Sequence, residues 1–189
     1  MQKINVYILV DCSGSMSGTP LSQASAFVEG LLQALRNNSA SCQSEASVIA
    51  YNMEIKEVVS MTSLTSIQFN SLNLECAGPK NLGLALSLVN KSQEENKVIF
   101  IITKGKPSDV QLYNEQARLC KTANNNIVVL HGNIEKSGDA YNNLTDKILP
   151  WENVNLQEIV KSIFGGNEIA SADGRAYLQD LPKVIDIQI

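Results

Sequence analysis

The sequence predicts an α/β fold, a doubly wound three-layer α/β/α sandwich on a mostly parallel sheet of about six strands with one antiparallel edge strand. Three observations predict it. Apolar, β-branched runs alternate along the chain with stretches of helical periodicity. The run Lys97–Thr103 (Lys-Val-Ile-Phe-Ile-Ile-Thr) is continuously apolar in its interior, as strands buried on both faces of a parallel sheet are. Two short apolar runs are joined by only three residues, the polar connection Asn52 to Glu54, which makes a hairpin and therefore one antiparallel strand.

The elements follow in order. Ile4 to Val10 is a strand that stops at the polar loop Asp11-Cys12-Ser13-Gly14-Ser15-Met16-Ser17-Gly18. Leu21, Ala24, Phe27, Val28, Leu31, Leu32 and Leu35 recur at helical spacing, and Asn37-Asn38-Ser39 ends that helix. Ala46 to Tyr51 and Ile55 to Val59 form the hairpin. Asn81 to Asn90 is helical, Lys97 to Thr103 a buried strand, and a helix from about Val110 to Ala123 follows the turn at Gly105 and Pro107. Ile127 to Leu130 is a further buried strand. A weak helix is expected near Asp139 to Leu144, then a short strand, then the amphipathic helix Leu156 to Phe164. Residues 1–165 thus read as one domain. After Gly165-Gly166 the periodicity is lost, and 166–189, ending Val184-Ile185-Asp186-Ile187-Gln188-Ile189, reads as an extra edge strand or a partner-binding arm.

Composition narrows the function classes. The 189 residues are 44% hydrophobic and 18% charged, enough for one self-sufficient core. Fifteen Lys and Arg against 19 Asp and Glu give a formal net charge of −4, which argues against a nucleic-acid-coating protein. The four cysteines, Cys12, Cys42, Cys76 and Cys120, have no CxxC pair and only one histidine, His131, beside them. They read as buried small hydrophobes and not as zinc ligands. The opening apolar run is too short for a signal-peptide core, and no run reaches membrane-spanning length. The expectation is a cytoplasmic protein that engages no membrane.

The informative stretch is Asp11-x-Ser13-x-Ser15, directly after the first buried strand. Ligands of open α/β sheets sit beyond the carboxyl ends of the strands, where strand order reverses. One carboxylate and two hydroxyls at this spacing present three oxygens, a donor set suited to a hard cation such as Mg²⁺. A plainer reading is a polar loop that caps the following helix. His131 has no evident nucleophile partner, and no Gly-x-Ser-x-Gly elbow is present, so neither supports catalysis. Gly14-Ser15-Met16-Ser17-Gly18 lacks the Gly-Lys-Ser/Thr ending of a phosphate loop. Trp151 reads as a packed aromatic.

On these residues the chain resembles the von Willebrand factor A (VWA) domain, a Rossmann-like fold whose metal-ion-dependent adhesion site begins with Asp-x-Ser-x-Ser. Val6–Met16, Gly78–Leu86, Phe100–Asp109, Leu144-Thr145-Asp146 and Trp151 carry the resemblance, which spans roughly residues 3 to 165 and is nearest to the bacterial TerY-like group associated with tellurite resistance. It implies a non-catalytic protein–protein interaction module in a stress or phosphosignalling context. The implied partners are a PP2C-type phosphatase, a protein kinase or a phosphorylated client. Two positions depart from the family. Lys80 stands where a threonine is expected, and Lys104 where an aspartate is expected.

A dication ~4 Å from one ammonium meets about 8 kcal/mol of repulsion at an effective dielectric of about 20. Millimolar-to-micromolar metal affinity corresponds to only ~4–8 kcal/mol. The expectation is therefore no tightly bound metal and no other cofactor, with Mg²⁺ at Asp11, Ser13 and Ser15 only if a cation binds at all. In the metal's place, a lysine ammonium would bind Asp11 and both serine oxygens while presenting protons outward. An acidic or phosphorylated partner group would dock on Asp11, Ser13, Ser15, Lys80, Lys104 and Lys106. The alternatives are surface lysines without a role, an adhesion module that retains Mg²⁺, and a phosphate-ester enzyme using the Asp11 pocket.

Overall fold

The computed structural model describes residues 3–38, 43–71 and 74–164; the proposed tail at 166–189 and Cys42 lie outside them. The element order is β1 (Asn5–Asp11), α1 (Thr19–Asn37), β2 (Glu45–Tyr51), β3 (Ile55–Ser63), α2 (Leu82–Lys91), β4 (Lys97–Thr103), α3 (Val110–Thr122), β5 (Asn126–His131), α4 (Ile134–Ser137), β6 (Ile148–Pro150) and α5 (Leu156–Phe164). Short 3₁₀ turns occupy Gly14–Met16, Gly138–Tyr141 and Trp151–Asn153.

Among the described residues the strands form one sheet in the order β3-β2-β1-β4-β5-β6. All neighbours pair parallel except β2 and β3, which form the expected hairpin. The order reverses between β1 and β4. Chain segments leaving these two strands diverge there, which opens a crevice at their carboxyl ends.

Alternation along the strands assigns side chains to two cores. Val6, Ile8, Val10 and Cys12 join Val28, Leu31 and Leu35 of α1 and Val160 of α5 on one face. Tyr7 and Leu9 join Leu82, Leu86 and Val89 of α2 and Ala117 of α3 on the other. The central strands β1, β4 and β5 are buried almost throughout, which explains why they read as unbroken apolar runs and not as alternating ones. The edges carry the features that discourage strand addition. The β2–β3 pairing is interrupted by register shifts, β3 is largely half-exposed with Lys56 and Glu57 near its start, and β6 is only three residues long.

The expected helix at Asp139–Leu144 is corrected. Helix α4 forms earlier, at Ile134–Ser137, and runs into the 3₁₀ turn Gly138–Tyr141. The reason is local packing. A Cβ added at Gly138 would come within 2.8 Å of Ile134 Cγ1, so this glycine lets the chain tighten where a longer α-helix would continue. The short strand expected before the last helix is β6. Trp151 is buried as expected, its ring tilted against Phe27 at a centroid distance of 5.8 Å.

Helices α2 and α3 approach closely at Gly83. A Cβ there would lie 2.4 Å from Tyr113 N and 2.7 Å from Leu112 C. The Asp109 carboxylate, at the start of α3, accepts the Gly83 and Leu84 amides at 3.2 and 3.0 Å and so caps α2 from a neighbouring segment. Helix propensity alone would make Gly83→Ala favourable by about 1 kcal/mol. Backbone contact reverses the sign, and the variant is expected to lose about 1–3 kcal/mol, measured by urea denaturation against wild type.

Candidate functional site

Asp11 ends β1 with its side chain fully buried. Its Oδ1 accepts the Ser13 amide at 2.9 Å. Its Oδ2 accepts the Thr103 hydroxyl at 2.7 Å, the Lys104 amide at 3.4 Å and the Lys80 ammonium at 2.5 Å. The carboxylate thus spans the crevice between β1 and β4, joined to the first strand by its own loop and to the fourth by Thr103.

Lys80 is buried with it, its side chain only 5% exposed. Its ammonium also donates to the Lys104 carbonyl. Its backbone is fixed on both sides by Ser108, whose hydroxyl accepts the Lys80 amide at 3.0 Å and whose own amide donates to the Lys80 carbonyl at 2.8 Å. The segment before it runs beside the Asp11 loop, with Ala77 N–H donating to Cys12 O and Gly14 N–H to Gly78 O, both at 3.0 Å. Gly78 has a φ of +64°, the left-handed region that glycine enters without steric cost. Gly105, at φ +97°, turns the β4 loop against the ammonium, and a Cβ there would lie 3.3 Å from Lys80 Nζ.

The structure brings Asp11, Lys80 and the Lys104 backbone together, but it corrects the expected arrangement of the lysine. Lys80 reaches neither serine hydroxyl. Ser13 and Ser15 bond to each other instead, Oγ to Oγ at 3.0 Å. Lys80 does not face outward either, because a fully buried carboxylate draws its counter-charge inward. Ser15 is exposed, while the side chains of Lys104 and Lys106 are half-buried and exposed. With Ser108, Asn133 and Lys136 they line an open cleft of about 500 Å³ above the pair.

A divalent cation does not fit this arrangement. Both Asp11 oxygens are committed to donors, and an ammonium sits in van der Waals range of one of them. No group of three His, Cys, Asp or Glu side chains able to hold a metal occurs among the described residues.

Beneath the cleft, sequence reasoning missed a polar layer. His131 is fully buried. Its Nδ1 accepts the Asn133 amide at 2.9 Å, which leaves the proton on Nε2, 3.2 Å from the Gly105 carbonyl. Tyr141 donates to the same carbonyl at 2.7 Å. Burial above all, with the Lys80 charge adding to it, holds the His131 pKa below its ordinary value, against the opposing pull of the Gly105 hydrogen bond and Asp11. Burial likewise pushes the Cys12 thiol up to about 12 and raises Cys76 and Cys120. Cys12 and Cys120 are buried and Cys76 half-buried, all three free. The signal that could have found this layer was position. Thr103 and His131 end β4 and β5, and Lys136 follows β5, all on the carboxyl side of the sheet.

Lys80→Met leaves a buried carboxylate without its counter-ion and is expected to cost about 3–5 kcal/mol. Asp11→Asn in the same chain should recover much of that, as a double-mutant cycle in urea would show. For His131, the unfolded chain binds a proton near pH 6.5 while the folded one resists it. Stability is therefore expected to fall as pH drops below about 6.5, and to level off below the folded pKa. Thermal unfolding between neutral and mildly acidic pH should show this slope weakened in His131→Gln.

The fold is comparable with that of known proteins. The model of the von Willebrand factor type A domain matches residues 5–149. No curated protein matches the sequence. Among solved structures, a von Willebrand factor type A protein from Catenulispora acidiphila superposes with a TM-score of 0.65 at 14% identity, over 86% of this chain and 42% of the other. The pilus adhesin SpaC from Lactobacillus rhamnosus GG, in its open conformation, gives 0.65 at 12% identity over 87% of this chain and 30% of its own. The chain thus spans less than half the length of these two. The von Willebrand domain of a type V pilus tip protein from Porphyromonas gingivalis gives 0.61 at 10% identity, with 97% of both chains covered. At such identities the likeness is one of fold. No helix among the described residues is long and apolar enough to cross a membrane. With the family model matched over three-quarters of its length, the chain belongs to the von Willebrand factor type A family, whose fold is that of a protein-interaction module.

Proposed function

We propose that this VWA domain binds an acidic or phosphorylated group of a protein partner at the carboxyl end of its sheet, without a metal ion and without catalysis. One observation carries the reading: the Lys80 ammonium lies 2.5 Å from the Asp11 carboxylate at the switch point of the sheet. The metal-ion-dependent adhesion site of the family recruits a partner's acidic side chain by offering it positive charge. Here lysines carry that charge. Lys80 neutralises Asp11, and Lys104 and Lys106 leave the rim of the cleft net positive.

The resemblance to the TerY-like group extends this proposal. In that setting the domain works in the cytoplasm of a bacterium, in a stress or tellurite-resistance response, and its partner is a PP2C-type phosphatase, a protein kinase or a phosphorylated client. The pilus adhesins of like fold are consistent with a binding role and leave the partner open.

Thermal unfolding with and without millimolar Mg²⁺, Mn²⁺ and Ca²⁺ tests the metal-free site. Specific binding to the native state raises the midpoint by mass action. The expected result is no shift in the wild type and a clear rise in a Lys80→Thr/Lys104→Asp variant, which regains oxygen donors and loses both cations. A rise in the wild type, lost in Asp11→Ala, would overturn the proposal in favour of a metal-dependent adhesion site.

A further inference from the structure

The cleft above Asp11 has a charge pattern that separates a phosphate from a carboxylate. Lys80, Lys104, Lys106 and Lys136 all line it, and no Asp or Glu does. Lys80 is committed to Asp11, which leaves three ammonium groups. Among the described residues the side chains of Lys104, Lys106 and Lys136 form no ion pair and no hydrogen bond. In a chain of formal net charge −4, three unpaired lysines around one cleft are a local concentration of positive charge.

The three come from two loops. Lys104 and Lys106 follow β4, and Lys136 lies on α4 after β5. Parallel strands send both loops to the same side of the sheet, so residues thirty positions apart converge on one cleft. Neutral donors stand between them. Ser108 accepts the Lys80 amide through its oxygen, and its hydroxyl hydrogen remains free to donate. Ser15 contributes a second hydroxyl, and the Asn133 side-chain amide a third donor.

A carboxylate brings one negative charge and two oxygens, which would leave two of the three ammoniums repelling each other. A phosphomonoester brings a charge of about −1.5 to −2 and three terminal oxygens, which offsets more of the cleft's positive charge than a carboxylate does and offers one acceptor oxygen to each lysine. A cleft of about 500 Å³ also exceeds what a lone phosphoryl group fills; volumes of this order hold a drug-sized ligand.

Building on the acidic-partner reading above, we propose that the ligand is a phosphorylated serine or threonine segment of a partner protein, and that Lys136 is the residue that selects phosphate over carboxylate. Lys104 and Lys106 hold the phosphate from the β4 loop and Lys136 closes on it from the opposite side. Ser15, Ser108 and Asn133 donate to its remaining lone pairs.

The test is an amide NMR titration of the full chain with three probes: N-acetyl-phosphothreonine N-methylamide, N-acetyl-glutamate N-methylamide and inorganic phosphate. The phosphothreonine probe is expected to shift the cleft amides and to bind at least ~10-fold tighter than the glutamate probe, as one extra charge-assisted hydrogen bond allows. Lys136→Gln should weaken the phosphothreonine probe by about 10-fold and leave the glutamate probe unchanged. Because Lys136 is exposed, this variant should keep the wild-type spectrum elsewhere. Equal affinity for phosphothreonine and glutamate, both lost in Lys104→Gln, would overturn the phosphate inference while keeping the acidic-partner reading. Inorganic phosphate binding as tightly as the phosphothreonine probe would overturn a protein-borne ligand. No perturbation of the cleft by any probe would overturn both the inference and the reading beneath it.

Discussion

The architecture of the site depends on how a fully buried carboxylate is neutralised. Asp11 sits at the end of the central strand β1 with no access to solvent. A bare charge in that position would cost several kcal/mol after relaxation. The Ser13 amide, the Thr103 hydroxyl and the Lys80 ammonium meet that cost from three parts of the chain. Everything that positions these groups then becomes necessary. The Gly78 turn brings Lys80 alongside the β1 loop, the Ser108 clamp fixes its backbone, and Gly105 leaves room for its ammonium.

The same interaction sets what the surface can do. Charge used at depth is unavailable above: Lys80 is committed to Asp11, while the side chains of Lys104, Lys106 and Lys136 line the cleft over it. In the proposed site the positive charge is divided, with one lysine below and three above. The division is physically reasonable because an ammonium donates to only a few oxygens at once, and Lys80 already bonds Asp11 and the Lys104 carbonyl.

A second layer supports the loop that carries the rim. The Gly105 carbonyl receives Tyr141 and faces His131, and His131 in turn holds the Asn133 amide. The loops after β4 and β5 are therefore joined through one buried imidazole whose tautomer is fixed by its two partners. Lys104 and Lys106 on one loop and Lys136 beyond the other are set relative to each other by this layer, whose burial lowers the His131 pKa.

The sequence by itself determined the elements and their class. Periodicity revealed the strands and most helices because each buries a face or both faces, and burial writes itself into the order of apolar residues. It also marked Asp11, Ser13 and Ser15 by their spacing, and Lys80 and Lys104 by the charge they bring to a familiar motif. It misplaced the helix after β5, where a glycine contact with Ile134 sets the local path. It also could not tell which lysine turns inward. That choice belongs to the tertiary structure, because it depends on the depth of Asp11 and on acceptors supplied by Thr103, Lys104 and Ser108. The rim residue Lys136 was silent for the same reason: nothing in its own neighbourhood marks it, and only the parallel sheet carries the end of β5 to the side on which β1 and β4 open.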